Sequence, residues 1–194
     1  MKSIKYTLGV FILLALGLAK VHSQEGQVQA QPSPPPPSYC EDNKRFDDWD
    51  FWVGEWNVYS NDEKRVFAGT NAVTKHYNNC LMIENWVNSQ GSGGMSINYY
   101  NPITDQWRQV WVSNGYAIDY TGGLNEQGEM VLAGELFTYQ TGVRQKFKGV
   151  WTAQENGDVI QHFETHDQEA DTWKVWFEGR YVRKENDPNP PGIK

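Results

Sequence analysis

Phe51-Trp52-Val53-Gly54-Glu55-Trp56 is the stretch on which the fold turns. Side chains of an extended chain alternate between two faces, so Gly54 and Trp56 share a face, and the glycine leaves room for close packing beside the indole. The segment reads as the first strand of a barrel. The remainder of the chain sustains that reading: short runs of alternating apolar and polar residues recur at 52–60, 65–77, 80–88, 95–100, 107–113, 116–121, 130–139, 143–152, 159–166 and 173–183. Runs of period two at this spacing belong to an up-and-down antiparallel sheet.

The connections carry turn chemistry: Asn78-Asn79, Gly91-Ser92-Gly93-Gly94, Asn101-Pro102, Asn114-Gly115, residues 125–128 and Glu155-Asn156-Gly157-Asp158. Asn114-Gly115 in particular predicts a type I′ hairpin, because both residues tolerate positive φ. A one-sided meander of this length must close or leave an apolar edge exposed. The expected fold is therefore all-β, a single antiparallel up-and-down barrel of about ten strands, with a two-sheet sandwich as the alternative. Ahead of it Phe46, Trp49 and Trp52 recur every third residue. That spacing predicts a short 3₁₀ or α turn over 43–52 that plugs one end of the barrel.

The ends of the chain read differently. Residues 1–23 combine Lys2 and Lys5, an apolar run from Leu8 to Ala19, and Val21-His22-Ser23 before Gln24, the pattern of a secretory signal peptide. The run is shorter than the roughly 20 residues of a spanning helix. Residues 24–45 form a linker rich in Pro and Gln, with Pro34-Pro35-Pro36-Pro37 at its centre, residues 46–184 the barrel domain, and 185–194 a disordered tail. Cleavage would remove three lysines and no acid, taking the net charge from −7 to −10. Such a surface argues against nucleic acid or an anionic membrane as partner, and the expected location is secreted or periplasmic. In that oxidising setting Cys40 and Cys80, the two cysteines of the chain, are expected to form a disulfide, with free thiols or an intermolecular bridge as alternatives.

Asp50 to Trp56, Cys80 to Trp86, Asn98-Tyr99-Tyr100-Asn101-Pro102, Trp107 to Trp111, Gln161 to Glu164, Thr172-Trp173 and Phe177 to Tyr181 together resemble the DUF1579 family of secreted bacterial proteins. The resemblance covers nearly the whole domain and implies a calycin-like (lipocalin-like) barrel with an internal cavity, a Cys40–Cys80 pair, and no established catalytic activity. The broader calycins bind small, mostly apolar ligands, and one branch binds haem.

Strand parity selects the candidate site. Met82, Glu84 and Trp86 share a face, and a carboxylate between Met and Trp is unusual for a solvent face. Ile160, His162, Glu164 and His166 share another, as do Trp176, Glu178, Arg180 and Val182. Gln109 stands between Trp107 and Trp111, where a buried amide needs partners. The expected ligand-binding residues are Glu84, Trp86, Tyr100, Gln109, Trp111 and Glu164, around a small, partly apolar ligand held by stacking and a few hydrogen bonds. The alternative is a hydrolase or isomerase that pairs Glu84 with Glu164. Trp56 reads as structural, covered by Arg180 or Arg183. On a strand, His162 and His166 stand about 13 Å apart and cannot clasp one ion. His76 is a lone candidate for haem, but the ordinary outcome for such a residue is the surface. No cofactor or metal is expected, and no nucleotide-binding or Ser-His-acid pattern occurs.

Overall fold

The computed structural model describes residues 39–191, so the expected signal peptide and most of the expected linker lie outside the described residues. The strands are β1 (Gly54–Ser60), β2 (Phe67–His76), β3 (Leu81–Asn88), β4 (Gly93–Asn101), β5 (Gln106–Ser113), β6 (Tyr116–Leu124), β7 (Met130–Thr138), β8 (Val143–Ala153), β9 (Val159–Asp167) and β10 (Thr172–Arg183). Each pairs antiparallel with its sequence neighbours, and β1 pairs with β10, closing the barrel. The expected strands are all present, with limits shifted by at most three residues. Closure leaves no open edge, which removes the hazard a long meander would otherwise carry.

The turn at Asn114-Gly115 differs from expectation, since neither residue takes a positive φ. Ser113 braces it instead: its Oγ accepts from the backbone N–H groups of Gly115 and Tyr116, both at 3.4 Å, and donates to the Tyr116 carbonyl at 3.1 Å. Left-handed backbone is used at Tyr77, Asn78 and Asn79, which turn the chain toward β3.

One end of the barrel is closed from within. Two 3₁₀ turns, Lys44–Asp47 and Asp50–Trp52, carry Phe46, Trp49 and Trp52 into the interior, where all three are buried. Trp49 stacks on Trp52 with centroids 5.1 Å apart and meets Trp151 and Trp107 edge-on at 4.8 and 5.6 Å. Lys75 of β2 holds the plug from the wall through Asp47 at 3.1 Å and Asp50 at 2.5 Å. Residues at the start of the plug, placed in the linker by composition, are ordered: Tyr39–Asp42 forms a helical turn (α1), and Cys40 is bonded to Cys80, just ahead of β3.

The need for glycine at position 54 comes from Arg183. That guanidinium lies 4.4 Å from the centre of the Trp56 ring and donates to the Val53 carbonyl at 3.1 Å. At φ 146°, a Cβ on Gly54 would stand 2.5 Å from its Nη1. Arg180, the other candidate for this cover, pairs instead with Asp158 at 2.9 Å.

The expected tail is a further difference as far as residue 191, its last three residues lying outside the described ones. Lys184–Asn186 forms a 3₁₀ turn, and Asp187 accepts from Asn57 Nδ2 at 2.7 Å and Tyr59 OH at 2.6 Å. The outward side chains of β1 are thereby covered: Asn57 and Tyr59 are buried under the tail, as Trp56 and Val58 are in the core. Proline and asparagine content signalled a frayed end, but a carboxylate facing two donors on β1 outweighs it.

Candidate functional site

Away from the plug the barrel holds a cavity of about 110 Å³. Its lining comes from five strands: Glu84 and Trp86 on β3, Gln109 and Trp111 on β5, Tyr116, Ile118 and Tyr120 on β6, Gln161 and Phe163 on β9, and Trp176, Phe177 and Tyr181 on β10. Trp86, Trp111 and Tyr116 also line a second hollow of about 180 Å³, reaching the β3–β4 and β5–β6 turns. They mark the mouth. Trp111 lies there over Gly94, where a Cβ would come within 2.5 Å of the indole.

Glu84 is the cavity's carboxyl group, and the register of the sheet builds its surroundings. Ser96 is directly opposite it on β4, Asn98 faces Gln109 on β5, and Gln109 faces Tyr120 on β6. Hydrogen bonds run along these pairs. Tyr120 OH donates to Gln109 Oε1, and Gln109 Nε2 to Asn98 Oδ1. Asn98 Nδ2 donates to Ser96 Oγ at 2.9 Å, and Ser96 Oγ to Glu84 Oε2 at 2.7 Å. Every donor in this row points one step closer to the carboxylate, an arrangement in which each bond polarises the next. From the other side Asn71 Nδ2 on β2 donates to Glu84 Oε1 at 2.9 Å.

These bonds soften but do not cancel the cost of burial. Glu84 is 4% exposed, and the loss of solvent pushes its pKa up to about 7, against the opposing pull of Ser96 and Asn71. Burial likewise raises the phenols of Tyr116, Tyr120 and Tyr181, and the nearby Glu84 charge adds to it. The carboxyl therefore changes charge near neutral pH. Asn71 Oδ1 is buried without a hydrogen-bond partner, so reversing that amide would let it accept from the protonated acid.

Stability inherits this pH dependence. With its folded pKa near 7 and an ordinary value of 4.5, the native state keeps a proton that the unfolded chain has released. The stabilisation conferred by that proton is complete below 4.5 and lost as pH rises to about 7. Its size is about 3 kcal/mol. From about pH 4.5 to about pH 8 the stability of Glu84→Gln, measured by urea unfolding, is expected to gain about this much relative to the native protein. A constant difference across the range would show that Glu84 does not titrate there.

Of the six expected binding residues, Glu84, Trp86, Gln109 and Trp111 meet in the cavity. Tyr100 does not: it belongs to the plugged end, 5.2 Å from Phe46, and its hydroxyl donates to Asp105 at 2.5 Å. Glu164 lies outside the barrel. The inward face of β9 carries Val159, Gln161 and Phe163, opposite in parity to expectation. Glu164 stands across from Lys148 and pairs with its Nζ at 2.5 Å, and that bond lowers the carboxyl's pKa. An outer face with a lysine to hand is the less costly place for a carboxylate. His162 shares this face and contacts Glu178 at 2.5 Å, while His76 is exposed beside Thr74.

Sequence reasoning missed eight lining residues. Tyr116, Ile118 and Tyr120 were within reach, since they alternate with Ala117, Asp119 and Thr121. Phe177 was not, and Trp176 was grouped with Glu178 and Arg180, which face the other way. A bulge between Val175 and Phe177 lets two consecutive residues of β10 face the cavity and reverses the parity of the rest of the strand. Glu178 and Arg180 consequently lie outside, and Tyr181 within. No protein-family model matches the chain, and no curated protein matches it.

Proposed function

We propose that this protein binds a small, partly apolar molecule in the barrel cavity, and that it does so outside the cytoplasm. The observation that carries the reading is the cavity itself: aromatic walls on most sides and one buried carboxyl with its amide and hydroxyl row. Such a combination is what a ligand site needs, apolar area for affinity and a few fixed polar atoms for orientation. A volume of about 110 Å³ is well under the roughly 300–1,000 Å³ of sites for drug-sized ligands. It favours a molecule of one ring or less, with any longer part running out past Trp86 and Tyr116, and speaks against haem. The Cys40–Cys80 bond supports an oxidising location. Resemblance to the DUF1579 family supports the same reading. The wall between Glu84 and Glu164 leaves no observation in favour of a paired-carboxylate enzyme.

Thermal unfolding with a panel of one-ring aromatics and short branched alcohols and amines tests this. A true ligand at a hundredfold excess over its Kd stabilises by about 2.7 kcal/mol. Ile118→Phe, which puts a ring into the cavity, is expected to abolish the stabilisation while the variant still unfolds cooperatively. Equal stabilisation of both proteins would place binding elsewhere, and none by any compound would sink the proposal.

A further inference from the structure

We infer that the ligand is a small organic cation, an alkylammonium whose charged head sits against Glu84 within an aromatic box. This rests on the small-ligand reading of the cavity and narrows it to one chemical class.

The charges that line the cavity are of one sign. Apart from phenols, Glu84 is the one ionisable group that lines it among the described residues, and no Lys, Arg or His of theirs does. An anionic ligand would meet a carboxylate and no compensating cation. The bonding of that carboxylate points the same way. Each oxygen accepts one hydrogen bond, from Asn71 and from Ser96, whereas an ionised carboxylate offers about four lone-pair sites. The donor row oriented toward it, from Tyr120 through Gln109, Asn98 and Ser96, favours the ionised form. It supplies dipoles and no counter-charge, and a cation in the cavity would supply the counter-charge. The walls also suit a cation. Trp86, Trp111, Tyr116, Phe163 and Trp176 surround the same space, and aromatic faces attract cations, most strongly where water is excluded. A neutral apolar ligand would use the rings and leave the carboxyl row without purpose.

Cation binding is then coupled to ionisation of Glu84. Nothing else facing it titrates near neutrality: β2 offers Asn71, β4 Ser96, β5 Gln109 and β9 Gln161, all uncharged, and Tyr116, Tyr120 and Tyr181 have phenols raised by burial. Lys75, on the same strand as Asn71, is engaged by Asp47 and Asp50 of the plug. With half-ionisation near 7, the binding-competent fraction rises about tenfold from about pH 6 to about pH 8.

The test compares choline with its neutral carbon isostere, 3,3-dimethyl-1-butanol, by titration calorimetry on the full chain at about pH 6 and about pH 8. Choline is expected to bind at least about tenfold more tightly than the isostere at the higher pH, and to lose about tenfold at the lower, while the isostere changes little. Glu84→Gln is expected to remove both the preference and the pH dependence. Because the pH series uses the unaltered protein, it stands even if that variant fails to fold. Equal or tighter binding of the isostere at the higher pH would overturn the cation assignment and leave the small-ligand reading in place. So would stabilisation by neutral ring compounds without any response to choline. No binding by any of these compounds would remove both.

Discussion

Replacing Trp49 with alanine is expected to lower stability by about 3–5 kcal/mol, the range for deleting a large aromatic from a packed core. Trp49 is fully buried and touches Trp52, Trp107 and Trp151, so its loss opens a hole at the centre of the plug rather than at its rim. Surroundings built from other large rings cannot collapse into such a hole, which puts the effect toward the upper end of that range. Urea unfolding measures it, and Trp176→Ala is the control. Trp176 is 41% exposed at the mouth, so its removal is expected to cost far less. If the two variants lose similar amounts, the plug is not the stabilising element that its packing implies.

The second large effect belongs to the disulfide. Cys40 and Cys80 lie 40 residues apart in sequence, and cross-linking a loop of that length stabilises by about 4 kcal/mol in the chain-entropy account. The loop contains the plug, β1 and β2, so the bond shortens the search that brings the plug back under the barrel. Cys40→Ala/Cys80→Ala is expected to lose about this amount in urea unfolding, and the unaltered protein with reductant is expected to match it. Should reductant leave the midpoint unchanged, either the thiols are not joined or the loop is equally constrained without the bond.

Much of the architecture could be read in advance because sheet periodicity is a local signal. Ten alternating runs separated by turn residues define ten strands, and a meander with one apolar face has few ways to end other than closure. The plug was legible for the same reason, from the three-residue spacing of Phe46, Trp49 and Trp52. The site was harder, since parity tells which residues share a face but not which face turns inward. On β3, Met82 and Trp86 settled that for Glu84. On β9 both faces mix apolar and polar residues, and only the position of Lys148 across the strand pair shows why Glu164 is outside. The β10 bulge has no glycine and no proline to announce it. Asp187 was equally unreadable, because its partners Asn57 and Tyr59 are about 130 residues away in sequence.

The division of the interior into a plugged end and a cavity also sorts the nine tryptophans. Trp49, Trp52, Trp56, Trp107 and Trp151 are buried at the plug, Trp86, Trp111 and Trp176 line the cavity, and Trp173 packs outside against His166. Light emitted by the first group comes from a rigid, dry environment at short wavelength, and that of the half-exposed rings at longer wavelength. The blue side of the spectrum thus reports whether the molecule is folded, and the red side joins Trp176 at the cavity to the equally exposed Trp173 outside it, so Trp173→Phe leaves a red channel that reports whether the cavity is filled.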